Sequence, residues 1–204
     1  MPKKSLIADL IKQVLDGTDI DMGLDTYTLQ ETLEIGRLNI KCEVHHQKTG
    51  QKRTIVGEGV GIIDAFFRGF VEIYSQEFPS LNTIRFTEFT VNASIDNETK
   101  TNNSDSLASV HLGVANSDGY IFEFTHASRS MTRSCLEVVL AAGEFFVNSE
   151  RAFIAVYRAL QHARETNRSD SVRIYTQQLT TLVKATSYSQ VIEKIRQEEL
   201  GRAT

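Results

Sequence analysis

From Thr26 to Ile35 and again from Leu38 to Val44, apolar and polar residues alternate, with Leu38, Ile40, Cys42 and Val44 on one face and Asn39, Lys41 and Glu43 on the other. Successive side chains of a strand point to opposite faces. The pattern therefore predicts two half-buried strands separated by Gly36. Gln47 to Gly50 reads as a turn, Arg53 to Val56 as a third strand, and a helix is expected from Ile63 to Phe78. The order is β, β, β, α.

The order then repeats. Ile84 to Ile95, Leu107 to Val114 and Tyr120 to Phe124 alternate, the last two flanking an Asp118-Gly119 turn, and a helix is expected from Thr132 to Asn148. Equivalent strands and helix starts lie about 70 residues apart, the mark of an internal duplication. Each unit would leave one face of its antiparallel sheet to be covered, so the predicted fold is α+β: two βββα repeats with helices packed on the sheets. The polar run Asp96 to Asp105, with Asn97, Asn102 and Asn103, is expected to be a mobile loop.

Helical spacing also marks both ends. Leu6, Ile7, Leu10, Ile11, Val14 and Leu15 predict an amphipathic amino-terminal helix. Phe153, Val156, Tyr157 and Leu160 extend the second unit, and beyond the polar stretch Glu165 to Asp170 two more helices are expected, one marked by Ile174, Leu179, Leu182 and Val183, the other by Val191, Ile192 and Ile195. The resulting organisation is an amino-terminal helix in 1–25, a duplicated core in 26–160 (first unit 26–80, second unit 81–160) and a helical extension in 161–204. Gln197 to Thr204 is expected to fray.

Composition narrows the classes. The chain is 41% hydrophobic and 24% charged, which suits a packed core and excludes general disorder. A net charge of -4 gives no broad attraction to nucleic acid or anionic lipid. Val138 to Val147 is interrupted by Gly143 and Glu144 and is too short for a bilayer span. Cys42 and Cys135 form no CxxC pair and are expected to be reduced and buried, as in a cytoplasmic protein.

The segment Gly57 to Ala65 joins a strand directly to a helix, with glycines that allow a tight turn and Asp64 placed to cap the helix. Such a turn is able to hold a small anion. It lacks the third glycine of a dinucleotide fingerprint and the Lys-Ser/Thr of a phosphate loop. His45, His46, His111, His126 and His162 show no His-x-His spacing, and no metal or other cofactor is expected. No Gly-x-Ser-x-Gly elbow is present. His126 beside Ser128 and Ser130 reads as a solvated loop histidine rather than a proton-transfer site, and Arg129 and Arg133 as a solvent-facing pair on one helical edge.

The run Gly59-Val60-Gly61-Ile62-Ile63-Asp64-Ala65 resembles the Gly-x-Gly-Pro-Val-Asp-Ala signature that opens the first helix of the regulatory domain in 2-isopropylmalate and citramalate synthases, with Ile62 at the proline position. Phe145-Phe146-Val147-Asn148 is similar to the end of that domain's second helix, and the duplicated βββα order matches over residues 26–160. The resemblance implies a homodimeric, non-catalytic module, standing apart from the synthase's catalytic barrel, that binds leucine, isoleucine or a related metabolite and regulates a separate synthase of leucine biosynthesis. It places an effector near Gly59, Gly61, Ile62, Asp64 and Ala65 in the first turn and Ser130, Thr132 and Ser134 in the second. The second turn, Ser128 to Ser134, departs from the family's glycine-rich pattern. Alternatives are a dimeric scaffold that has lost its effector and a small hydrolase or lyase using the Ser, His or Cys residues of that turn.

Overall fold

The computed structural model describes residues 4–94 and 107–202. An amino-terminal helix α1 (Lys4–Leu15) precedes strands β1 (Met22–Thr32), β2 (Arg37–His46) and β3 (Lys52–Gly59) and helix α2 (Ile62–Tyr74). A 3-10 turn at Pro79–Thr83 leads to β4 (Arg85–Ser94), β5 (Leu107–Ala115), β6 (Ile121–Ser128) and the long helix α3 (Met131–Glu165). Helix α4 (Ser169–Leu182), a 3-10 turn at Val183–Ala185 and helix α5 (Tyr188–Arg202) complete the chain. The fold is α+β, with two antiparallel three-stranded sheets in the orders β1-β2-β3 and β4-β5-β6.

The alternation in the sequence sets which face is covered. Leu38, Ile40, Cys42 and Val44 of β2 are buried, as are Ala108, Val110, Leu112 and Val114 of β5. Each sheet carries one irregularity at a matching place: the β1–β2 register shifts between Leu24 and Thr26 beside Val44, and the β4–β5 register between Phe86 and Glu88 beside Val114. Bulges are kept as designed features of a strand pair, so their equivalence strengthens the case for duplication. Helix α2 packs on β2 and β3, α3 packs on β5 and β6, and the helices pack on each other. Gly143 permits that crossing, because a Cβ there would lie 2.6 Å from the Phe70 ring. Residues from both units and from the terminal helices form one core cluster.

Several boundaries differ from the pattern reading. Helix α2 stops at Tyr74 rather than Phe78; the residue before Pro79 is pushed out of the helical region, and Phe78 stands at φ -125, ψ 78. Helix α3 runs unbroken from Met131 through residue 160 to Glu165, where Asn167 turns the chain at φ 53. Helix α5 continues to Arg202, past the expected fraying point at Gln197. The expected loop Asp96 to Asp105 lies outside the described residues. Among the described residues no helix is long and apolar enough to cross a membrane.

Buried and half-buried polar side chains fasten the ends to this core. Asn148 accepts from the Ile20 N–H and donates to the Ile20 carbonyl, both at 2.8 Å, and the Glu144 carboxyl accepts from the Met22 N–H at 2.5 Å. The link between α1 and β1 is thereby tied to α3. Asn116 does the same at the β5–β6 turn: its Oδ1 accepts from Asp118 and Tyr120 N–H while its Nδ2 donates to the Lys184 carbonyl at 3.0 Å.

Candidate functional site

The first strand-to-helix turn is closed on itself. Gly57 and Gly59 of β3 lie against α2: a Cβ on Gly57 would collide with the Ala65 carbonyl oxygen, and one on Gly59 would come within 2.5 Å of the Ala65 nitrogen. Gly69 completes the contact, since a Cβ there would meet the Val56 oxygen at 2.5 Å. These glycines let strand and helix backbones touch. At Gly61, by contrast, a Cβ meets nothing within 4 Å and φ is an ordinary extended -168. The glycine requirement therefore sits on Gly57, Gly59 and Gly69, and Ile62 and Gly61 are partly exposed beside them.

Asp64 does not occupy the N-cap, which is Gly61 without a side-chain cap. From the first turn of α2 it reaches back, accepting the Val60 N–H at 3.1 Å through Oδ2 and pairing with Arg68 Nε at 2.8 Å through Oδ1. It thus ties the strand-to-helix turn just ahead of the N-cap and places a negative charge at the positive end of the helix. Asp64→Ala should cost on the order of 1 kcal/mol, the usual scale for losing such a terminus contact. A thermal melt identical to that of the unaltered protein would remove this role.

The second turn carries more chemistry. Ser130 caps α3, its Oγ accepting the Arg133 N–H at 3.2 Å. Behind it Ser128 and Ser134 hydroxyls are 2.9 Å apart, and His126 Nδ1 is 3.2 Å from Ser134 Oγ. Ser134 Oγ also donates to the Ala108 carbonyl at 3.3 Å, and Ser134 is fully buried. His126 is thus a partly buried residue of β6, not a solvated loop histidine, and its partner hydroxyl is sealed from a solvent-borne substrate. Thr132 and Ser130 are partly buried, and Met131 is 54% exposed.

One contact joins the units here: the Tyr27 hydroxyl of β1 lies 3.4 Å from Ser130 Oγ. The structure therefore brings Ser128, Ser130, Ser134, His126 and Tyr27 together, whereas Gly59, Asp64 and Ala65 stay engaged within their own strand–helix junction. Sequence reasoning missed Tyr27, because an alternating strand does not reveal which helix terminus its outer residues will meet. Arg133 pairs with Glu137 at 3.2 Å, and Arg129 precedes the helix, so the two do not form one helical edge.

Cys42 and Cys135 are free and buried, and burial pushes the Cys42 thiol up to about 12 and raises that of Cys135. Such thiols are poor nucleophiles at neutral pH. No group of three or more His, Cys, Asp or Glu among the described residues is arranged to hold a metal ion. The chain matches no family model and no curated protein.

Proposed function

We propose that this chain is a non-catalytic, effector-binding and dimerising module, acting in the cytoplasm, of the kind that 2-isopropylmalate and citramalate synthases carry, and that it regulates a separate synthase of leucine biosynthesis. The observation that carries the reading is the second turn, where hydroxyls of Ser128 and Ser130 sit at the start of a 35-residue helix and Tyr27 reaches Ser130 from the other unit. A helix amino terminus favours a carboxylate through unpaired N–H groups and the aligned backbone dipole. Tyr27 makes such a site sensitive to how the two units pack.

The dimer reading draws on apolar exposure. Leu33, Ile35 and Val60 are 82%, 66% and 75% exposed. The register pairs of Leu38 with Glu31 and with Gly59 bring the β1–β2 hairpin and the end of β3 to the same end of the sheet. Exposed apolar residues grouped at one end of a sheet suit association with a second copy. Calorimetry against leucine, isoleucine and their 2-keto acids should give saturable heat with at least one of them, weakened in Ser130→Ala, and light scattering should give a dimer. A monomer that takes none of the four ligands would overturn the reading; a dimer that takes none would leave only the scaffold alternative.

A further inference from the structure

We propose a second ligand site, far along the fold from both helix-opening turns, for a small organic anion with a compact apolar body. A cavity of 340 Å³ lies at the end of the first sheet where β1 begins and β2 ends, under the carboxy-terminal end of α2. That volume is at the lower end of small-molecule pockets. Its apolar surface comes from Ile20, Met22, Val44, Phe78 and the ring of Tyr74. Met22, Val44, Tyr74 and Phe78 are buried, so this surface is part of the core's edge and is already shaped.

Cations face the same space. Arg53 of β3 and Arg151 of α3 line the cavity with His46, while Glu77, the one acid of the lining among the described residues, is exposed. None of the ion pairs formed among the described residues uses Arg53 or Arg151. Arg53 instead lies with its guanidinium carbon 5.4 Å from the centre of the Tyr74 ring, within cation–π range. The Tyr74 hydroxyl donates to the Met22 sulfur at 3.4 Å and also lies beside the Arg53 side chain. Thr18, Thr49 and Gln51 complete the lining with neutral polar residues. Two arginines from separate elements lining a cavity with an apolar floor, on a chain whose net charge is -4, are a local reversal of sign suited to carboxylate or phosphate recognition.

The probe is 4-methylpentanoate, with its uncharged amide and inorganic phosphate as comparison ligands, titrated into the whole chain and followed by amide and arginine Nε–H resonances. Saturable shifts are expected in the millimolar range at Met22, Val44, Arg53 and Arg151, with the amide and phosphate each binding about tenfold more weakly, since one loses the charge and the other the apolar body. Arg53→Gln and Arg151→Gln should each raise the dissociation constant about tenfold, the size expected for losing one charge-assisted hydrogen bond. Arg53 is exposed, so its variant keeps the test decisive should Arg151→Gln perturb folding. Equal binding of the amide, unchanged affinity in Arg53→Gln, or shifts confined to other surfaces would overturn the proposal. Stronger binding of inorganic phosphate than of 4-methylpentanoate would overturn the apolar half of it.

Discussion

Lys194→Met should destabilise the protein by about 3 kcal/mol, the lower end of the range for stripping one partner from a buried ion pair. Glu150 of α3 is fully buried. Its Oε2 accepts both the backbone N–H of Ser80, at 3.2 Å, and the Ser80 hydroxyl, while its Oε1 lies 3.3 Å from Lys194 Nζ. Lys194 also donates to the Glu77 carbonyl and sits 5.2 Å from the centre of the Phe78 ring. The ammonium is thus the only formal countercharge among these partners, and methionine would leave the carboxylate with neutral donors alone. The low end applies because the Lys194 side chain keeps 20% exposure, so water screens part of the loss. Urea denaturation is the measurement. In the double variant Glu150→Gln with Lys194→Met, much of the loss should return, because no charge is then stranded. A Lys194→Met midpoint equal to that of the unaltered protein, or strictly additive losses in the double variant, would show that the pair is solvated rather than structural.

The fold was largely legible because its signal is local. Alternation at Leu38–Val44 and Leu107–Val114 marks strands whose inner faces are buried, and the apolar spacing at Ala65, Phe66, Phe70 and Cys135, Leu136, Val139 marks helices that cover them. What the sequence did not disclose depends on partners far away along the chain. Asn148, Glu144 and Glu150 look like polar interruptions of α3, yet their partners are Ile20, Met22 and Ser80. The glycines before α2 were visible as turn formers, but only the packed structure separates Gly57 and Gly59, which touch the helix, from Gly61, which faces open space. The candidate site was half legible for the same reason: the serines of the second turn are neighbours in sequence, whereas Tyr27 arrives from more than a hundred residues away. The Arg53–Arg151 cavity is assembled from several elements and has no sequence signature at all.

The Glu144 carboxyl predicts a second large effect, a fall in stability toward alkaline pH. Burial pushes this group up to about 8 from 4.5, neighbouring charges of Asp21, Glu137 and Asp19 act in the same direction, and the hydrogen bond from the Met22 N–H opposes them. A carboxyl whose native pKa lies above its unfolded value binds its proton more tightly when folded. Its stabilising contribution is therefore complete below about pH 4.5 and is lost as pH rises through about 8. The full displacement corresponds to several kcal/mol; partial exposure of Glu144 and relaxation around the ionised group reduce the expected loss to on the order of 3 kcal/mol. Glu144→Gln keeps an oxygen for the Met22 N–H and cannot ionise, so it should match the unaltered protein near pH 5 and exceed it in stability near pH 8.5. The carboxylate of Asp19, held below its usual range chiefly by its hydrogen bond to Lys48, acts in the opposite sense and only at lower pH, so it does not enter this window. Because Glu144 and Asn148 together hold Ile20 and Met22, hydrogen exchange at those amides should also rise with pH beyond the intrinsic chemical rate in the unaltered protein but not in the variant. Parallel stability profiles for the two proteins between pH 5 and pH 8.5 would mean that the carboxyl ionises at no cost to the fold.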